Sequence, residues 1–235
     1  CSKAVAEAKL LPAMVSLLHD TSERVRCNLL EHMPSLASML ESKSIFDVLM
    51  AELVQSIGSP RWRVREGVAI AMRQLLLHHT ATKFNETFIP SLEKLLLDDV
   101  SAVRSATIGT IAIVSSHYGS AWSVAMLESL NDFAGAAVYG KRVLYLKCFE
   151  GLFPRIEKAD LSKDTSETLV QILDKLVADK VSNVRRTLAK VLATLEMSKT
   201  AVLAEKRKGL VELLNEDSDK EVVAATKVAQ TEEPF

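Results

Sequence analysis

The chain has 235 residues, of which 48% are hydrophobic and 5% aromatic, and its 29 basic residues balance 30 acidic ones. A balanced charge produces no long-range field that would attract nucleic acid or an anionic membrane surface, so neither is expected as a partner. The apolar residues are mostly Leu, Val and Ala, which is typical of packed helices.

A short pattern recurs six times along the chain: an acidic or small residue is followed six positions later by an arginine, usually after valine. The pairs are Asp20/Arg26, Ser59/Arg65, Asp98/Arg104, Ala136/Arg142, Asp179/Arg185 and the degenerate Asp217/Val223. Successive second members are 39, 39, 38, 43 and 38 residues apart, which is the period of a two-helix solenoid repeat. The sequence therefore predicts an all-α solenoid.

Each repeat is predicted to contain a helix A that ends at the acidic position and a helix B that begins just before Val-Arg. The fifth repeat shows the apolar spacing of amphipathic helices in both of its helices. Helix A of the fourth repeat is expected over 121–134, and Asp164 with Glu167 and Ser218 with Glu221 form predicted capping boxes. The six repeats make a single array over 1–235 and span about 7–41, 44–79, 84–118, 121–157, 165–197 and 200–230.

The recurring acids and arginines predict a structural ladder. An Asp that closes helix A lies near the start of helix B, and an Arg one turn into helix B can reach that Asp or the one in the adjacent repeat. Such pairs set the register between repeats, but an exposed pair contributes only about 0.2 to 1 kcal/mol against about 1.5 to 3 for a buried Leu. We favour this structural role over phosphate binding, and the predicted ladder residues are Asp20, Arg26, Arg65, Asp98, Arg104, Arg142, Asp179 and Arg185.

No motif of an enzyme or a metal site is present in the sequence. The five histidines have no Cys or acid at ligand spacing, and there is no Gly-rich phosphate loop, nucleophile elbow or catalytic pair. We therefore expect a protein without catalytic activity, metal or cofactor. Cys1, Cys27 and Cys148 are far apart, which indicates free thiols and a cytoplasmic protein, with the nucleus as a second compartment.

Trp62 is the strongest candidate for a binding residue. It lies in Arg61-Trp62-Arg63-Val64-Arg65, at the turn from helix A to helix B, and Tyr139 occupies a related turn. A large aromatic side chain flanked by arginines is typical of an interface hot spot. The alternative, that Trp62 only covers the neighbouring turn, has equal weight from the sequence.

The motif Trp-Arg-Val-Arg at 62–65, with Gly119-Ser120-Ala121-Trp122 sixty residues beyond Trp62, resembles the HEAT-repeat scaffold (A) subunit of protein phosphatase 2A. The similarity continues through Val138-Tyr139-Gly140-Lys141-Arg142 and Ser182-Asn183-Val184-Arg185. It extends over essentially the whole chain and corresponds to the carboxy-terminal repeats of that family. Departures are Ser59 and Ala136 in place of ladder acids, Val223 in place of the last basic residue, and Ser101 in place of an aromatic turn residue.

The resemblance implies a scaffold that binds a phosphatase catalytic subunit through its intra-repeat turns, with Trp62, Arg63, Tyr139 and Asn183 as partner-binding residues. It also implies that the variable regulatory subunit binds repeats missing from this chain. A HEAT-type regulatory subunit of a related phosphatase fits the same residues. The alternatives are a tubulin-binding HEAT array, which also presents Trp and basic residues on a row of turns, and a transport-receptor-like interaction module.

Overall fold

The structure, a computed structural model, describes residues 6–40, 43–76, 81–159, 161–195 and 201–227. Helices and the turns that join them make up these ranges, which contain no strand. The all-α solenoid class predicted from the repeat period is confirmed. After a π-helical turn, Ala6–Leu10, the α-helices are α1 (Leu11–Leu18), α2 (Glu23–Leu40), α3 (Lys43–Ser56), α4 (Trp62–Leu76), α5 (Ala81–Leu96), α6 (Ser101–Tyr118), α7 (Ser120–Ser129), α8 (Asn131–Ala134), α9 (Tyr139–Ile156), α10 (Lys163–Val177), α11 (Ser182–Thr194), α12 (Ala201–Asn215) and α13 (Lys220–Ala225).

In the first compact unit, Cys1–His117, helices pack on the other helix of their own repeat and on the equivalent helix of the next repeat. Helix α1 packs on α3, and the B helices α2 and α4 make the most extensive contact of this unit. The contact is close because Gly67 of α4 has no side chain: a Cβ there would lie 3.0 Å from Leu30 Cδ1. A buried hydrogen bond, 2.7 Å from Thr110 Oγ1 to the Ala69 main-chain oxygen, joins α6 to α4. The packing of α2 on α4 is therefore the largest single part of the core of this unit.

The second compact unit, Tyr118–Phe235, is organised around α9. This helix contacts α7, α8 and α11, and Tyr145, Phe149 and Leu152 on it are almost completely buried. The Phe149 and Phe153 rings meet edge to face with centroids 5.5 Å apart. Helix α11 in turn packs on α13, and α10 on α12, so the pairing of like helices recurs in this unit.

Helix A of the fourth repeat is not the single helix over 121–134 that the sequence predicts. It breaks into α7 and α8 at Leu130, whose N–H donates to the Leu127 carbonyl three residues back at 3.0 Å. The Ser129 hydroxyl donates to the Met126 carbonyl at 2.7 Å, and side chains of this kind compete with the regular helical ladder. Local side-chain chemistry therefore overrides the apolar period here.

The predicted caps of two helices are displaced by one or two residues. Ser162, rather than Asp164, caps α10 by accepting from the Thr165 N–H at 3.1 Å. Asp219, rather than Ser218, caps α13 by accepting from the Glu221 N–H at 2.9 Å. The predicted repeat limits at 41, 79, 197, 200 and 230 lie outside the described residues.

Candidate interaction surface and the arginine ladder

Each of the five ladder arginines closes its own turn by the same main-chain contact. Its Nη1 donates to the carbonyl oxygen six residues earlier, whatever side chain that residue carries. The pairs are Arg26 to Asp20 at 3.1 Å, Arg65 to Ser59 at 2.8 Å, Arg104 to Asp98 at 2.6 Å, Arg142 to Ala136 at 2.6 Å and Arg185 to Asp179 at 2.7 Å. Because the acceptor is main chain, the intra-repeat half of the ladder does not need an acid at the acidic position.

The acids pair with the arginine of the preceding repeat. The sequence left two partners open for each arginine, the acid of its own repeat and the acid of the next repeat. In the structure the arginine pairs with the acid of the next repeat, through two hydrogen bonds. The Nε and Nη2 distances are 2.5 and 2.9 Å for Arg65 with Asp98, and 2.6 and 2.9 Å both for Arg142 with Asp179 and for Arg185 with Asp217. Planar two-point pairs of this kind fix orientation as well as distance. They therefore set the register of adjacent helix starts, and Asp217, which stands in the degenerate sixth repeat, is a full member of the ladder.

These carboxylates are held in the charged form. The hydrogen bond from Arg65 lowers the pKa of Asp98, and the one from Arg185 lowers the pKa of Asp217, in both cases against the opposing effect of burial. Each acid also accepts a hydrogen bond from the N–H two residues later, at Val100 and Asp219. The pairs are shielded from solvent, with side chains of Arg142 and Asp179 only 9% and 8% exposed.

Arg26 and Arg104 lack this second partner among the described residues. Arg104 donates to the main-chain oxygens of Asp98 and Asp99, at 2.6 and 2.9 Å, and not to the Asp98 carboxylate, which Arg65 occupies. An Arg104–Asp98 side-chain pair, which the six-residue spacing allowed, is therefore not formed. The Nε of Arg26 is buried without a hydrogen-bond partner. In the sequence, Ser59 and Ala136 hold the acid positions that follow these two arginines.

The predicted partner-binding residues lie at the starts of B helices. Trp62 is the first residue of α4 and Tyr139 is the first residue of α9, each three residues before its ladder arginine. The two aromatics therefore occupy equivalent positions in their repeats. Asn183, the second residue of α11, is equivalent to Arg63 instead. Trp62 and Arg63 belong to the first unit, and Tyr139 and Asn183 belong to the second.

In the first unit, Trp62 and Arg63 form one side-chain cluster. The Arg63 guanidinium carbon lies 4.5 Å from the centroid of the Trp62 ring, in a cation–π contact. Glu23 occupies the position of the first repeat that is equivalent to Trp62. Its Oε2 lies 3.7 Å from Arg61 Nε, and its Oε1 lies 3.9 Å from Arg63 Nη1. Trp62 is half-buried and both arginines are largely exposed. The cluster thus presents an aromatic face with two cations at the start of α4.

In the second unit, Tyr139 and Val138 form an apolar edge at the start of α9. They are 49% and 64% exposed, the latter an unusually open aliphatic residue for this protein. Asn183 is exposed as well, and its main-chain oxygen accepts from the Thr187 hydroxyl at 2.8 Å. Among the described residues, no hydrogen bond joins Tyr139 to Asn183.

The other tryptophan has a different environment. Trp122, on α7, is 6% exposed, and its ring centroid is 5.9 Å from that of Tyr118. It belongs to the core of the second unit, so only Trp62 of the two indole side chains is available to a partner.

A cavity of about 220 Å³ lies in the second unit between α7, α9 and α10, lined among others by Leu127, Glu128, Tyr145 and Thr165. It is smaller than the roughly 300 to 1,000 Å³ of typical small-molecule sites. Its carboxylate Glu128 already accepts from the Thr165 hydroxyl at 2.8 Å. Burial without a hydrogen-bond partner raises the pKa of the Tyr145 hydroxyl, so this group stays protonated.

The described residues contain no cluster of His, Cys, Asp or Glu that could hold a metal ion. None of the helices in that part of the chain combines the length and apolar character that a membrane span requires. Cys27 and Cys148 are free thiols, and burial raises the pKa of Cys148 to about 12.

No family model and no curated protein matches the chain. Several solved structures are similar. An engineered protein is 17% identical, with 93% of this chain and 96% of that chain covered and a TM-score of 0.49. The designed armadillo repeat protein YIII(Dq)4CqI is 16% identical, with 93% and 98% covered and a TM-score of 0.49. A further designed armadillo repeat protein, in complex with the peptide (KR)4, is 16% identical, with 94% and 98% covered and a TM-score of 0.47. These likenesses concern the arrangement of helices alone.

Proposed function

We propose that this protein is a non-catalytic scaffold that binds the catalytic subunit of a protein serine/threonine phosphatase through the starts of its B helices. The observation that carries the proposal is the Trp62–Arg63 cluster, a partly exposed aromatic ring with a stacked guanidinium at the start of α4. Trp and Arg are the residue types most enriched among interface hot spots. The cluster stands in the same Trp-Arg-Val-Arg motif that resembles the phosphatase scaffold family.

The ladder supports this role by holding the start of α4 in place. Arg65 lies one turn after Trp62, donates to the Ser59 carbonyl at 2.8 Å and pairs in bidentate geometry with Asp98. A hot-spot residue on a rigid element loses little conformational freedom on binding, which favours affinity. Tyr139 and Val138 offer a second apolar contact at the equivalent position of α9, beside the Arg142–Asp179 pair.

The resemblance extends the proposal to other partners and to location. A variable regulatory subunit would bind repeats that this chain does not contain. The assembly would act in the cytoplasm and the nucleus, where such phosphatases find their substrates.

The two tryptophans provide the experiment that tests the proposal. Trp62→Ala should weaken binding of a purified phosphatase catalytic subunit, measured by titration calorimetry, by about 2 kcal/mol, roughly thirtyfold. The melting temperature should change little, because the ring is already partly exposed. Trp122→Phe is the matched control, and it leaves Trp62 as the only indole, so its fluorescence reports directly on contact with the partner.

The outcomes separate the alternatives. A large drop in melting temperature for Trp62→Ala with unchanged affinity means that Trp62 is structural and contradicts the proposed interface. Binding of tubulin but not of the phosphatase subunit in the same assay would assign the chain to the tubulin-binding arrays instead.

A further inference from the structure

We call a rung of the ladder the pair formed by the acid that closes helix A of one repeat and the arginine of the preceding repeat. One turn of the first unit has the position and the arginine of a rung but has no acid. Ser59 stands where Asp98, Asp179 and Asp217 stand in later repeats. Among the described residues, the preceding arginine, Arg26, donates only to the Asp20 carbonyl of its own turn, at 3.1 Å, the longest such contact of the five. Its Nε is buried and has no hydrogen-bond partner. A buried unpaired donor of this kind costs free energy, so a group that accepted from it would stabilise the unit.

The Ser59 side chain makes the same kind of main-chain contact as the acids it replaces. Its Oγ accepts from the N–H two residues later, at Arg61, at 3.3 Å. Asp98, Asp179 and Asp217 accept from the N–H at the same offset at 2.9, 2.9 and 2.8 Å, and from that position each receives the arginine of the preceding repeat. Helix α2, which carries Arg26, packs closely on α4 through Leu30 and Gly67. A negatively charged group on Ser59 Oγ would therefore face Arg26.

We propose that Ser59 is a phosphorylation site and that its phosphate completes the rung with Arg26. A phosphoserine carries a charge of about −1.5 to −2 at pH 7 and three strong acceptor oxygens, which suit a guanidinium whose Nε has no hydrogen-bond partner. The start of α4 follows within three residues, where the helix dipole also favours negative charge. Arg61 lies on the same turn and adds a further cation.

The sequence and exposure of this turn fit a kinase substrate. Ser59 is followed by Pro60, the pair that proline-directed serine/threonine kinases accept, and it is half-exposed between the exposed residues Gly58 and Pro60. In the transfer, Ser59 Oγ bonds to the γ-phosphorus of a nucleoside triphosphate as the bond from that phosphorus to the bridging oxygen breaks. The nucleoside diphosphate leaves, and the serine proton passes to a base of the kinase.

The expected consequence is a tighter contact between the first and second repeats, next to Trp62. The inference rests on the Arg26 and Ser59 geometry and is independent of the phosphatase proposal. Its test therefore measures modification and stability, and no phosphatase binding is involved.

The test begins with the whole chain, a proline-directed kinase and ATP. Mass spectrometry should locate phosphate at Ser59, and Ser59→Ala should abolish that product. Phosphorylation should raise the melting temperature by about 2 to 4 °C, the shift that one additional favourable contact gives in a chain of this size. In Arg26→Gln the same phosphorylation should give no rise.

A second readout reports on contact directly. In a ³¹P titration, the second pKa of the phosphate should be lower in the wild type than in Arg26→Gln, because a facing guanidinium favours the dianion. Ser59→Asp should stabilise the wild type more than it stabilises Arg26→Gln, a background that keeps the helix-start charge but lacks the facing guanidinium. Failure of the kinase to modify Ser59 overturns the site. A phosphorylated wild type with an unchanged or lower melting temperature, or a phosphate pKa insensitive to Arg26→Gln, overturns the rung.

Discussion

The turn before α4 and the turn before α6 contain the same main-chain hydrogen bond. They differ in the residue that closes helix A, which is Ser59 in the first turn and Asp98 in the second. Both hold the arginine of their own repeat by its Nη1, at 2.8 Å to the Ser59 carbonyl and 2.6 Å to the Asp98 carbonyl. Only Asp98 also holds the arginine of the repeat before it, in two hydrogen bonds with Arg65. At Ser59 the neighbouring repeats are joined by the close packing of Leu30 on Gly67.

The difference shows that the two halves of a rung have separate functions. The carbonyl contact shapes the turn and forms whether the residue is Asp, Ser or Ala, whereas the carboxylate contact aligns one repeat with the next. A buried apolar side chain contributes more stability than an ion pair, so we expect the packing between helices to carry most of the stability and the ion pairs to add alignment. Four changes test this division, from the largest expected effect to the smallest.

The first change removes apolar packing between repeats. Leu188, on α11, is completely buried, so Leu188→Ala should cost about 3 to 5 kcal/mol of unfolding free energy in urea titrations. Loss of protection in hydrogen exchange should spread beyond the fifth repeat to its neighbours, because repeats are stabilised by their shared interfaces. Leu213→Ala, at an exposed position of α12, is the control and should be nearly neutral. Exchange confined to the fifth repeat would show that the packing is not shared.

The second change removes one partner of a complete rung. Arg142→Ala leaves the Asp179 carboxylate shielded and unpaired, and should cost about 3 kcal/mol. Arg186→Ala is the control: Arg186 pairs with Glu221, but both side chains are largely exposed, so its loss should cost less than about 1 kcal/mol. Equal costs for the two variants would mean that the ladder contributes no more than ordinary surface pairs.

The third change is in pH. The folded-state pKa values of Asp98 and Asp217 are lowered by their arginines. Their contribution to stability is therefore complete above the ordinary Asp pKa of about 3.9 and is lost as the pH falls through the lower folded value. Stability should decline below about pH 4, and Asp217→Asn should lessen that decline. Parallel pH profiles for wild type and Asp217→Asn would contradict the pairing with Arg185.

The fourth change tests how closely α2 packs on α4, by comparing alanine substitutions at two glycines. Gly109→Ala, in the middle of α6 with open space around its Cβ position, should stabilise by about 0.5 to 1 kcal/mol through helix propensity. Gly67→Ala gains the same propensity but meets Leu30 at 3.0 to 3.3 Å in a buried contact, so it should be net destabilising. Melting curves of the two variants suffice, and equal stabilisation of both would show that the α2–α4 contact is loose.

Much of the architecture followed from sequence, because a fixed period of hydrophobic helices and recurring arginines has few structural solutions. The helical hairpins and the positions of Arg26, Arg65, Arg104, Arg142 and Arg185 one turn into the B helices could be read directly. The starts of α7 and of α9 to α13 fell close to their predicted places for the same reason. The break at Leu130 and the caps at Ser162 and Asp219 did not, because several neighbouring polar side chains compete there for the same main-chain groups.

The sequence by itself determined that acids and arginines meet at the ends of helical hairpins, since their spacing brings both to the same turns. It left open which acid each arginine takes, because the acid of its own repeat and that of the next are both within reach of a guanidinium. Only the stacking of repeats decided this, by placing Asp98, Asp179 and Asp217 against the arginine of the preceding repeat. Tertiary packing also decided that Trp122 is core and Trp62 surface, because solvent exposure depends on neighbours distant in the chain.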